Sequence, residues 1–182
     1  MKKNNWIVKA FLLTFFIALI FNFVSNIVVN KFNNIIVLSV LCLLFVLVGI
    51  LFDIIGTAVL SAKEAVFHAK SSKKIRGSKE GVYLIKNSST IASICNDVIG
   101  DICGIVSGSI AAMLGIIIAN KFNISLVLVT LLVSSFISSI TVGGKAIGKR
   151  YAIENADKII FVVAKVLNLS LIHISEPTRL AL

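Results

Sequence analysis

Four apolar runs dominate the chain, at residues 10–29, 35–60, 90–119 and 124–142. Each has about the 20 residues an α-helix needs to cross roughly 30 Å of hydrocarbon. Inside a bilayer every backbone N–H and C=O must be paired within the protein, which leaves helices or closed barrels, and continuous apolar runs of this length are helical rather than alternating. Composition agrees: 58% of the residues are hydrophobic and 14% charged, with a mean hydropathy of +1.02, against about a quarter charged in soluble domains. The expected fold is an all-α integral membrane protein with four transmembrane helices. The first run follows Lys2, Lys3 and Lys9, as in a signal peptide, but it is too long for one and lacks a small-residue cleavage site.

The net charge of +10 has to be placed relative to those helices before it says anything about partners. With four spans, fifteen lysines and arginines fall on one side, in residues 1–9, 62–87 and 145–168, and only Lys31 and Lys121 on the other. The positive-inside rule then puts both termini in the cytoplasm of a plasma-membrane protein. Residues 62–87 carry Lys63, Lys70, Lys73, Lys74, Arg76, Lys79 and Lys86, split by Gly77-Ser78 into two short pieces with apolar sides. This reads as a basic interfacial helical hairpin drawn to anionic lipid. Nucleic acid is not expected as a partner, because the basic run carries no recognised nucleic-acid-binding motif. Residues 145–168, with Ile147, Tyr151, Ile159 and Val163 in one stripe, read as a C-terminal helix along the membrane surface.

Chemistry concentrates in residues 88–109, SSTIASICNDVIGDICGIVSGS. On an α-helix Ser93, Asp97 and Asp101 share a face, and Gly100, Gly104 and Gly108 form a ridge that admits a second helix. Carboxylates at membrane depth are costly and mark function by default. The alternative is that the glycines only pack helices and the acids sit in water at the membrane edge. Asp53 lies in the second run. The fourth has a hydroxyl-rich face including Ser134 and Ser138, which serves either close packing or oxygen ligation. Asp53, Ser93, Asn96, Asp97, Asp101 and Ser138 therefore form a candidate oxygen site for a hard cation, Mg²⁺ or Na⁺. Lys145 is the competing partner for one of the aspartates. Cys42, Cys95 and Cys103 lie in apolar runs without metal-ligand spacing and read as buried thiols. The chain has no nucleophile–base pair, zincin motif or phosphate loop, and no enzymatic activity is expected.

The last residues stand apart. LSLIHISEPTR at 169–179 is similar to a translated sequencing adapter, so the native sequence is expected to end near Asn168, and 169–182 is treated as a non-native tail. Within the rest, the order of elements resembles the transmembrane domain of the CNNM (cyclin M and CorC-type) family over about residues 45–168. Thr57-Ala58 stands where that family has Ser-Glu-Thr-Ala, and Ile94-Cys95-Asn96 near its Ile-Gly-Asn. Gly144-Lys145-Ala146-Ile147-Gly148-Lys149 stands where it has Gly-Glu-Ile-Ile-Pro-Lys. The resemblance implies a homodimeric domain (residues 35–168) linked to Mg²⁺ export, preceded here by an extra helix and turn (1–34). Four positions depart from the pattern. Gly56 and Lys145 replace acids, Gly148 replaces a proline, and Gly100 replaces a second Asn. A diverged, non-transporting scaffold or regulatory protein is the alternative.

Overall fold

A computed structural model describes residues 2–31 and 34–175. The described residues form a helical structure with no strand among them. In order these are α1 (Lys2–Lys31), α2 (Ile35–Ser61), α3 (Glu64–Ser72), α4 (Ser78–Lys86), α5 (Ser88–Ser93), a π-helical segment (Ile94–Gly100), α6 (Asp101–Phe122), α7 (Leu126–Glu154) and α8 (Ala156–Ser175). Residues 176–182 of the tail, and 32–33 of the first hairpin tip, lie outside the described residues. Three helical stretches are long and apolar enough to cross a membrane: Ile35–Ser61, Ser88–Phe122 and Leu126–Glu154. In α1 the described apolar stretch is shorter, Phe11–Ile27.

Helix α2 is the centre of the packing and touches α5, the π segment, α6, α7 and α8. Asn34 starts it by accepting a hydrogen bond from the Ile36 amide at 2.9 Å, the usual role of an Asn at a helix N-cap. The core lies in two parts. Leu38, Cys42 and Phe45 of α2 meet Ile102, Val106, Ile110 and Leu114 of α6, with Ile17, Ala18 and Phe21 of α1 against them. Ala58 and Val59, at the other end of α2, meet Phe67, Leu84, Ala152, Ile160 and Ala164. Small residues let the helices close up: a methyl group at Gly49 would stand 3.1 Å from the Cys103 Cβ, and one at Gly148 would stand 2.8 Å from the Ile54 Cγ1. The three cysteines are free and buried.

The basic segment forms the expected pair of short helices. Gly77 sits at φ +84° between them, a left-handed conformation that costs glycine least. Phe67 of α3 is fully buried, and its ring lies over Gly81 of α4 with no room for a Cβ there. His68 is on the surface, 3.0 Å from Glu64.

Two expectations about boundaries need correction. The Gly143-Gly144 junction does not end the fourth run, because α7 continues without a break to Glu154. Glycine weakens a helix by only about 1 kcal/mol, and Gly144 and Gly148 are held against Ile50 and Ile54 of α2. The C-terminal helix therefore starts at Ala156, after a break at Asn155. The third run is not one uniform α-helix either, since seven of its residues take the wider π turn.

Candidate cation site

The two halves of the core are separated by a polar layer, here called the gap, at the turn of α2 that holds Asp53 and Gly56. Asp53 is 97% removed from solvent, since its relative exposure is 3%. Its Oδ2 atom is buried without a hydrogen-bond partner. Three residues on, Gly56 faces Asn96 of the π segment so closely that a Cβ would fall on the Asn96 Oδ1. That oxygen is also buried and has no donor. Positions three apart on a helix are neighbours, so Asp53 and the Gly56–Asn96 contact lie in the same polar layer. Buried polar atoms without partners are uncommon in folded proteins, and each needs an explanation such as a bound ion or water.

The charges that face this gap come from α7. Lys149 Nζ lies 3.6 Å from Asp53 Oδ2, an ion pair too long to be a hydrogen bond. One turn earlier, Lys145 Nζ donates to the Gly100 carbonyl and to Asp101 Oδ1, both at 3.3 Å. Two ammonium groups four residues apart thus reach two acidic residues on two different helices. The π segment allows this. Its wider turn, frequent at functional sites, brings Asn96 and Gly100 toward α2, where Gly49 and Gly56 leave room for them.

The six residues singled out from the sequence do not form one cluster. Asp53 and Asn96 border the gap. Asp101 is engaged by Lys145, with 64% of its side chain exposed, and Asp97 is exposed. Their expected convergence inside the bundle is therefore not found. The inward positions of this stretch are taken by Cys95, Val98, Ile102 and Cys103, because burying an apolar side chain is favourable and burying an unpaired carboxylate is not. Ser93 is half-buried at the end of α5. Ser138 is exposed, about two turns or ~10 Å along α7 from Lys145. Ser134 and Ser139 donate back to their own helix, to the Thr130 and Phe136 carbonyls. Lys149 was not among the expected site residues. Its position four residues after Lys145 on a helix was the available signal.

Among the described residues no group of three or more His, Cys, Asp or Glu side chains is arranged to hold a metal. The gap supplies one carboxylate oxygen and one carboxamide oxygen without hydrogen-bond partners. That donor set suits a hard cation keeping part of its water, and is too sparse for a fully dehydrated octahedral Mg²⁺. No family model, curated protein or solved structure matches the chain.

Proposed function

We propose that this chain is a multi-pass protein of the plasma membrane, of the CNNM type, that binds and passes a hard divalent cation, Mg²⁺, at the gap between α2, the π segment and α7. The observation that carries the reading is the pair of buried, unpartnered oxygens, Asp53 Oδ2 and Asn96 Oδ1. A cation there would coordinate both oxygens, neither of which accepts a hydrogen bond, and would take over Asp53 from Lys149. The lysines give the site a way to stay neutral between ions. Lys149 holds Asp53 when no cation is present, and yields it when one arrives. Purified protein titrated with Mg²⁺, Na⁺ and Mn²⁺ is expected to melt at a higher temperature in Mg²⁺. Asp53→Asn together with Asn96→Leu is expected to abolish that shift and any Mg²⁺ flux in liposomes. A flat response of the wild type to all three ions would end the reading.

The two lysine contacts support a second reading. If Lys145 and Lys149 are permanent counterions, the gap is a structural ion-pair network, and the protein is a non-transporting scaffold or regulator. Buried pairs are weak contributors to stability but strongly destabilising when one member is removed, an effect reduced here because Lys149 and Asp101 are each more than half exposed.

Topology and association belong to the same proposal. α1 is a fourth span, both termini are cytoplasmic, and the α3–α4 hairpin and α8 lie at the inner membrane surface against anionic lipid. Asn123 is exposed at the α6–α7 turn, and Ser72 is exposed at the end of α3. A single added cysteine at Asn123 is expected to react with an impermeant maleimide from outside intact cells, and one at Ser72 only after lysis. Reaction of the Ser72 position in intact cells would reverse the orientation.

Among the described residues, and leaving aside their own helix backbone, Gly104 and Gly108 have no atom within 4 Å of a Cβ built on them. Their face of α6, with exposed Asp97 and Asp101 at one end, is proposed as the contact of a homodimer. Gly104→Leu fits the open space of the single chain, so it is expected to leave its thermal stability intact and reduce dimer crosslinking. Unchanged crosslinking would place lipid on that face.

A further inference from the structure

A second polar feature lies away from the gap, where the linker from α3 to α4 meets α8. Residues 73–77 turn sharply there, with Lys74 at φ +52° and Gly77 at φ +84°. The turn opens a cleft of about 460 Å³ whose walls include Lys74, Arg76, Lys79 and Asn168. None of these three cations makes an ion pair among the described residues. The nearby Lys70 and Lys165 are committed elsewhere, with Nζ atoms 4.1 and 4.5 Å from the centre of the Phe161 ring. The acid on the wall, Glu80, accepts a hydrogen bond from Asn168 Nδ2 at 2.8 Å, which turns one of its oxygens to α8. The cleft also holds the start of α4, whose first-turn amides have no side-chain cap. Of these amides Ser78 donates to the Ile75 carbonyl and Gly81 to the Gly77 carbonyl, so the helix end adds only its positive dipole to the three side-chain cations.

A second cavity of about 320 Å³ adjoins the first and shares Ile75, Arg76 and Asn168 with it. Its wall is completed by Lys165 and Leu169 on α8. Ile75 is 40% exposed here, an apolar side chain standing between two basic ones. A strongly cationic cleft joined to an apolar one matches a molecule with a phosphate at one end and methylenes next to it. Leu169 is the first residue of the tail, whereas Lys74, Ile75, Arg76, Lys79, Lys165 and Asn168 precede it.

We propose that this cleft is a binding site for the headgroup phosphate of an anionic phospholipid, held by Lys74, Arg76 and Lys79, with Ile75 and the Lys165 stem against the first methylenes. The site is distinct from a general attraction of the basic surface to the membrane. It predicts that three particular charges matter more than three others.

The test uses the full chain in detergent, titrated with phosphatidylglycerol, phosphatidylcholine of the same acyl chains, and sodium phosphate, read by native mass spectrometry. Wild type is expected to bind phosphatidylglycerol more tightly than phosphatidylcholine by at least about tenfold. Lys74→Gln, Arg76→Gln and Lys79→Gln together are expected to remove that preference. Lys63→Gln, Lys86→Gln and Lys158→Gln together remove the same charge from exposed positions outside the cleft and are expected to keep it. If the first triple variant does not fold, Arg76→Gln alone reads the same site, with a loss of about fivefold. Equal losses in the two triple variants, or equal binding of the two lipids by wild type, would overturn the proposal. Inorganic phosphate competing as well as phosphatidylglycerol would overturn the lipid as the source of the phosphate.

Discussion

Lys149→Met is expected to destabilise the protein by about 2–3 kcal/mol, below the 3–5 typical of a fully buried pair because the lysine is half exposed. The substitution removes the one charge among the described residues within 4 Å of the Asp53 carboxylate, whose residue is 97% buried. In a detergent melt this is a fall of about 4–12 °C for a chain of this size. Asp53→Asn should cost less, because it leaves behind a lysine whose side chain is already 51% exposed and able to turn to water. The double variant, Asp53→Asn with Lys149→Met, should recover most of the loss, since no unpaired charge remains. The same variants separate the two functional readings. If the gap receives a cation, Mg²⁺ should restore Lys149→Met toward wild type, because the ion takes over the role of the ammonium. If the lysine is a permanent counterion, Mg²⁺ should leave Lys149→Met as unstable as it is in chelator.

The other large effect expected is that of Phe67→Ala. Phe67 is the largest of the fully buried side chains, and it joins α3 to α4 over Gly81 and both to the α2–α8 half of the core. Truncating a buried Phe costs about 3–5 kcal/mol, from lost apolar burial and the cavity left behind. Leu84 and Ile160, buried in the same cluster, cannot collapse into the space without moving α4 or α8. The loss should therefore appear first in the hairpin, as faster limited proteolysis within residues 73–77. A melt changed by less than about 1 kcal/mol would mean that the hairpin is not docked by this ring.

The apolar runs by themselves dictate a helical protein, because their length and continuity leave the backbone no other way to satisfy its polar groups away from water. Gly77-Ser78 was legible as the break in the basic segment, since a left-handed residue between two short amphipathic pieces is a local matter. So was the possibility that Lys145 pairs with an aspartate. What local pattern did not carry is which way the polar residues turn. Asp97 and Asp101 share a helix face in the sequence, but whether that face is inside depends on competition with Val98, Ile102 and Cys103 for the same core. The π segment is not legible in the sequence for a related reason. Its residues have ordinary helix-compatible types, and the wider turn exists because Asn96 and Gly100 fit against Gly56 and Gly49 of another helix. The continuation of α7 past Gly143-Gly144 likewise rests on contacts with Ile50 and Ile54, and it is this continuation that carries Lys145 and Lys149 to their acids. Helix existence was decided by residues close in sequence, whereas the site was assembled from α2, the π segment and α7, whose relative rotation only packing sets.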